Sequence, residues 1–317
     1  MIIKEMNKVI PQFNADIGEE FDRKSIQLKK ASSKLTAAFI ISLFLGALFV
    51  DLNLSGDIPL FLGVIFTSAA LLFYVIRSRR KLNEQWTYTR VVAESIKSEW
   101  FKFIVGGGDY PCNKSVGEEY YTDLFKKNIQ EKISEYRSNI INAGGSPIEF
   151  NLKLDSTTLG YRNIAFEDRL DLYKEKRIKD QLSWYEKKSL LMEKKEQQYK
   201  IGFGVVVIIG LLVGAYKLTG LPIIGFLDNS DWFSIAIALG FALESANSIF
   251  QHERLSINYK KSANDLSESL NKINDTDNDV RGDENVFSEF VEDVENRISN
   301  EHKSWSLTTN TKNLPNF

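Results

Sequence analysis

The sequence predicts an all-α membrane protein: two transmembrane helical hairpins with long cytoplasmic helical extensions. Three observations predict it. The apolar residues gather into four segments near the length of a bilayer span. Those segments form two close pairs. Basic residues crowd the outer flanks of both pairs, while the short loops inside them are acidic or nearly neutral. Averages hide this pattern, since 43% hydrophobic and 26% charged residues would suit an ordinary soluble chain.

A hydrocarbon core of roughly 30 Å needs about 20 apolar helical residues. Leu35–Leu52 is uncharged until Asp51, and Ile58–Ile76 carries no charge at all, with the polar stretch Asn53–Asp57 between them. The third segment is Ile201–Tyr216 and the fourth is Trp232–Phe250, which contains Glu244. The alternative, buried helices of a soluble protein, rarely uses runs this long without an amphipathic break. The first apolar run begins after 34 mainly polar residues, too late for a secretory leader.

The flanks orient the spans. Arg23, Lys24, Lys29, Lys30 and Lys34 precede the first, and Arg77, Arg79, Arg80 and Lys81 follow the second; Lys194, Lys195 and Lys200 precede the third, and Arg254, Lys260 and Lys261 follow the fourth. The positive-inside rule then places both termini in the cytoplasm of a multi-pass inner-membrane protein, with loops near Ser55 and Phe226 outside. The expected order is a cytoplasmic N-terminal helix (1–34), the first hairpin (35–76), a cytoplasmic helical region (77–200), the second hairpin (201–250), a cytoplasmic helix (251–273) and an acidic, partly disordered tail (274–317). The lone cysteine, Cys112, rules out an intrachain disulfide and suits a reducing compartment.

Between the hairpins, Arg77–Phe103 lacks Gly and Pro and should continue the second span as one long helix, until Gly106, Gly107, Gly108 and Pro111 break it. Val116, Tyr120, Leu124, Ile129, Ile133 and Ile140 form a helical stripe over about 116–141, and Asn142–Pro147 stops it. Ile148, Phe150, Leu152 and Leu154 alternate as in a short strand or extended loop. A helix over about 164–200 should enter the third span directly, its charges forming a solvated face. The hairpin-then-helix order recurs about 170 residues on, with Arg90, Ala93 and Ile96 opposite Lys260, Ala263 and Leu266. In the tail, Phe287, Phe290, Val291, Val294 and Ile298 share one helical face that can dock onto the body or a partner, and the last dozen residues read as unstructured.

Small residues four apart, Ser42 with Gly46, Gly210 with Gly214 and Ala236 with Gly240, allow close helix approach in lipid, within the chain or between copies. Glu244 is the unusual charge. With Ser245, Asn247 and Ser248 it either lines a polar inner surface or sits at the interface and reaches water. No phosphate-binding loop, nucleophile elbow or zinc-helix motif is present; His252 and His302 lie too far apart for a metal site, and His252 beside Glu253 reads as interfacial. No enzyme activity and no cofactor are expected. A net charge of −2 gives no reason to expect nucleic acid as a partner.

Trp86, Arg90, Ala93, Glu94, Lys97 and Trp100, followed by Gly107 and Tyr110, resemble the helix after the hairpin in the bacterial SLATT superfamily of two-transmembrane effectors. Asp109 stands where that family usually has a small residue. Arg177, Asp180, Gln181, Trp184, Tyr185 and Lys188 resemble the helix that leads into a second hairpin in tandem members. The likeness covers roughly residues 15–272. It implies a membrane effector of a bacterial antiviral or conflict system that forms pores or perturbs the bilayer. A cytoplasmic partner, nucleotide-sensing or nucleotide-synthesising, or a nucleotide signal would trigger it; and since four spans enclose little space, a pore in the lipid bilayer would need a homo-oligomer. The resemblance carries over no catalytic residues. A non-conducting scaffold that recruits partners through its cytoplasmic helices is the alternative, and a membrane-embedded enzyme the third reading.

Overall fold

The computed structural model describes residues 19–51, 57–112, 117–149, 154, 156–219, 231–275 and 279–310. Among these the regular elements are all helices, with no strand. In chain order the helices are α1 (Glu19–Asp51), α2 (Ile58–Arg80), α3 (Leu82–Val105), α4 (Glu118–Asn142), α5 (Ser156–Arg162) and α6 (Phe166–Tyr173), then a π turn (Lys174–Ile178), α7 (Lys179–Leu218), α8 (Trp232–Phe250), α9 (His252–Asn274), a 3₁₀ turn (Asp279–Arg281) and α10 (Glu284–Asn310). Four stretches among the described residues are long and apolar enough to cross a membrane, and they contain the four segments read from the sequence, except Leu52, which lies outside the described residues.

The chain divides into an apolar unit, Lys30–Arg80 with Lys188–Ile257, and a polar unit, Met1–Lys29 with Lys81–Lys187 and Asn258–Phe317. In the apolar unit, large side chains such as Phe61, Leu71, Leu211 and Phe241 stand more than half exposed, as lipid-facing residues do. Small residues set the helix approach inside each hairpin. A Cβ on Gly46 would lie 2.5 Å from the Thr67 hydroxyl, and one on Gly63 2.7 Å from a Val50 methyl. Phe49 and Phe66 stack beside them with centroids 5.5 Å apart. In the second hairpin a Cβ on Gly210 would lie 2.7 Å from the Ala236 methyl. The Asp231 N–H donates to the Asp51 carbonyl at 3.4 Å, tying the start of α8 to the end of α1.

The polar unit is built on α3, which packs against α4, α5, α6 and α10. Aromatic rings fill the first contact: Phe103 stacks on Phe125 at 4.5 Å, Tyr110 meets both edge-on, and Phe21 of α1 meets Tyr136 of α4 at 5.3 Å. Phe287, Val291, Val294 and Ile298 form the buried face of α10. Phe287 meets Phe166 and Tyr173 edge-on.

The structure differs from the sequence expectation in three places. The helix expected to run unbroken over Arg77–Phe103 is interrupted at Lys81, whose φ of 45° is left-handed. The helix expected over 164–200 carries the π turn, because two buried stripes, Leu170–Tyr173–Arg177 and Ile178–Tyr185–Ser189, are out of phase by about one residue. The acidic stretch after Asn274 includes a 3₁₀ turn, and α10 extends to Asn310, into the last dozen residues. Of the strand and the extended loop left open for residues 148–154, Ile148 and Leu154 fit the loop, while Phe150 and Leu152 lie outside the described residues. Ser55, Phe226 and the N-terminal 18 residues also lie outside them.

Candidate functional site

Helix α8 presents the candidate polar surface in its last two turns. Glu244, Ser245 and Ser248 are exposed; Asn247 is half-buried, and its Oδ1 atom is enclosed without a hydrogen-bond partner. Four residues per turn-and-a-bit place Ile237, Phe241, Glu244 and Ser248 along one stripe. Ile237 and Phe241 are exposed apolar side chains, so the stripe is polar only at the end next to α9.

The small residues face inward across their own hairpins. Ser42 and Gly46 are buried in the first hairpin, opposite Gly63 and Thr67. A Cβ on Gly214 would lie 3.5 Å from the Phe233 ring, and one on Gly240 3.4 Å from the Phe203 ring. Gly210, Ala236 and Gly240, with Phe203 and Phe233, line an open apolar cleft of about 250 Å³ between α7 and α8. Gly63 escaped the sequence reading because its partner sits on another helix, not four residues along its own.

The residues that carried the family resemblance, Lys188 apart, lie in the polar unit. The Lys29 ammonium lies 3.7 Å from the centre of the Trp86 ring, and the Arg90 guanidinium 4.9 Å from that of Trp184. Trp184 and Tyr185 both contact Tyr259 of α9. Lys97 donates to Asp22 at 2.8 Å. The two motif sets therefore belong to one packed body, joined at Arg90 and Trp184.

Charged groups hold α10 and the glycine loop in that body. Arg177, with its side chain 2% exposed, makes two hydrogen bonds to Glu295 at 2.9 and 2.7 Å, and Tyr173 donates to the same carboxylate at 3.0 Å. Burial opposes the Arg177 charge, but the Glu295 carboxylate outweighs it and keeps the guanidinium protonated. Arg169 donates to the Val105 carbonyl at 2.8 Å and to Glu284. Arg162 donates to the carbonyls of Phe103, Tyr110 and Pro111 and to Glu118. The Gly108 N–H donates to the Ser288 carbonyl at 3.0 Å, and a Cβ on Gly107 would lie 2.7 Å from that of Val291. Gly107 and Gly108 thus allow α10 to pass over the loop at backbone contact, while Gly106 makes room for Arg169 and Cys112.

Glu99 anchors a second cluster. It accepts from Tyr110 and Asn128 and lies 3.3 Å from Lys132 and 3.7 Å from Lys102, which also meets Glu292 at 3.0 Å. Burial alone would raise the Glu99 pKa, but Lys102, Lys132 and the two hydrogen bonds hold it below the usual carboxylate value. None of the clusters resembles catalytic machinery. Burial pushes the Cys112 thiol up, against the pull of Arg162 and Arg169, so it is a poor thiolate at neutral pH. The ring of His252 stacks on Tyr199 at 5.3 Å at the α8–α9 junction, while Glu253 points out. Among the described residues no three metal-ligating side chains gather. The sequence could not show the arginine–carboxylate pairs, because Arg177 and Glu295 look alike to any surface pair 118 residues apart.

Comparison with protein families gave two matches. Residues 17–151 match the model described as SMODS and SLOG-associating 2TM effector domain 3. Residues 173–305 match the model described as SMODS and SLOG-associating 2TM effector domain 1. Neither the curated proteins nor the solved structures gave a match.

Proposed function

From a chain that belongs to the SLATT family, with two of its two-transmembrane effector domains in tandem, we propose a membrane-permeabilising effector of a bacterial conflict system. In this reading it resides in the inner membrane with its polar unit and both termini cytoplasmic, which the basic flanks of both hairpins support. Four spans enclose little space, so conduction requires several copies around one axis. The polar unit is the part that a cytoplasmic partner, nucleotide-sensing or nucleotide-synthesising, would act on.

The observation that carries the reading is Glu244. It is an exposed carboxylate on a helix otherwise apolar enough to span, with Ser245 and Ser248 exposed beside it. An ionisable group in such a helix is costly unless it meets water or a partner. In an assembly, a ring of these carboxylates would favour cations. The test is the reversal potential in a salt gradient across a planar bilayer. Glu244→Gln keeps the size and removes the charge, so cation preference should fall while assembly persists; Glu244→Lys should reverse the preference or block assembly. Identical selectivity for wild type and Glu244→Gln would end the pore-lining assignment.

One observation favours the second reading, a non-conducting scaffold. The stripe that bears Glu244 turns apolar at Phe241 and Ile237, so the carboxylate can also serve as the water-facing end of a lipid-facing span. Absence of current from assembled, triggered protein would favour that role.

A further inference from the structure

Both hairpins show the same lopsided pattern of helix breaks. The incoming helices are continuous: α1 runs unbroken from Glu19 to Asp51 and α7 from Lys179 to Leu218. The outgoing helices stop. Lys81, at φ 45° and ψ 33°, separates α2 from α3; Gln251, at φ 54° and ψ 40°, separates α8 from α9. Among the described residues these two are the non-glycine positions with positive φ. They lie 170 positions apart, the offset that also aligns Arg90, Ala93 and Ile96 with Lys260, Ala263 and Leu266.

Local sequence does not ask for either break. Ile76–Gln85 and Ser248–Leu255 contain no Gly and no Pro, and Lys and Gln are good helix formers. A left-handed residue with a full side chain costs about 1–2 kcal/mol, and neither Lys nor Gln has the short side chain that eases it. The ladder does restart at once: the Gln85 N–H donates to the Lys81 carbonyl at 3.1 Å and the Leu255 N–H to the Gln251 carbonyl at 3.0 Å. Lys81 gives the new helix no side-chain cap. Each break is therefore strained, the Lys81 break is also uncapped, and a continuous helix is the obvious competing state. That the same strain stands at matching points of two diverged repeats argues against accident.

We propose that Gln251 is a joint, at which the outgoing span α8 switches between a broken and a continuous connection to the first turns of α9, while the facing part of α7 acts as an unbroken rod. Glu244 and Ser248 lie within two turns of Gln251, so a change there re-aims them. The joint is a property of the backbone and does not depend on whether the chain conducts.

Distances between paired spin labels in lipid nanodiscs test it, on the full chain with Cys112→Ser. Cysteines replacing Phe241 and Ile257, 70% and 61% exposed, flank the joint; cysteines replacing Leu190 and Val205, 67% and 49% exposed, lie along α7 as the control. A continuous helix would separate the flanking backbone positions by about 24 Å and the control positions by about 22 Å. The control pair should give one narrow distribution throughout. Gln251→Gly removes the Cβ penalty and should enrich the shorter, broken distance. Gln251→Val, which tolerates positive φ poorly, should enrich the longer one. If the Val variant does not insert, Gln251→Ala should still lengthen the distance relative to Gly. The same distribution in the Gly variant and in the inserted Val or Ala variant would overturn the proposal.

Discussion

Helices α3 and α9 follow the two hairpins at matching positions, yet they live in different surroundings. α3 is buried on nearly every side: Trp86, Val92, Ile96, Trp100, Phe101, Phe103 and Ile104 are all at most 5% exposed. α9 buries one stripe, Leu255, Tyr259, Ala263, Leu266 and Ile273, and turns Lys260, Lys261, Asn264, Glu268 and Asn271 to solvent. The cause is α10. It begins within the segment matched to the second domain but packs on α3 of the first, where it adds a second wall besides α4. Position by position, Phe101 and Ile104 of α3 correspond to Asn271 and Asn274 of α9. The duplicated unit has thus become one body with a central helix and a peripheral helix, each with the residues its surroundings require.

Exchanging residues between the matched positions should break the comparison most sharply. Ile104 is fully buried, so Ile104→Asn leaves a cavity and an unpartnered amide; we expect a loss of about 4 kcal/mol. Asn274→Ile, at an exposed site, should change stability by no more than about 0.5 kcal/mol. Denaturant unfolding of the full chain in detergent, followed by tryptophan fluorescence, measures both. Equal effects would mean that α3 and α9 are equally covered.

Ion pairs extend the contrast. Glu295→Ala strands the buried Arg177 charge and should cost about 3–5 kcal/mol. On α9 the exposed Glu268 meets Lys272 at 3.0 Å, and Glu268→Ala should cost about 0.3–0.5 kcal/mol. Adding Arg177→Met to Glu295→Ala should recover much of the first loss, because no charge is then left unpaired.

The smallest effect is a pH dependence confined to α3. Glu99 titrates below its ordinary value in the folded chain, so its ionised form stabilises the fold above the usual carboxylate range. That contribution should be lost as pH falls through the lowered folded pKa. Glu99→Gln should flatten this part of the stability profile. Ser269 holds the matching place in α9 and cannot titrate there.

The four apolar helices and their pairing were legible in the sequence because each is a one-dimensional pattern, the length and order of apolar runs, whereas the buried stripe of α9 was not read from its polar sequence. α3 was legible as a helix but not as a centre, since polar residues such as its buried Thr87, Thr89 and Glu99 carry no mark of burial in the sequence. Their partners explain the burial: Thr87 and Thr89 donate to carbonyls four residues back, and Glu99 meets side chains from α3, α4 and the intervening loop. The apolar face of α10 was plain at Phe287 and Val291; its docking site was not, because the site is made by Gly107, Arg169 and Arg177 from distant segments. Lys81 and Gln251 carried no signal, as both are good helix formers held in a left-handed state. Glu244 was visible as a misplaced charge, while the apolar residues above it on the same stripe appear only once the helix is drawn.

The central claim is that α10 closes over the glycine loop after α3 within one chain. A Cβ placed on Gly108 would lie 3.6 Å from that of Glu292, inside the range a disulfide spans. The full chain carrying Gly108→Cys, Glu292→Cys and Cys112→Ser should form this bond under mild oxidation, giving a monomer with no free thiol and a faster band on a non-reducing gel. Free thiols after oxidation, or a bond found only between chains, would contradict the account.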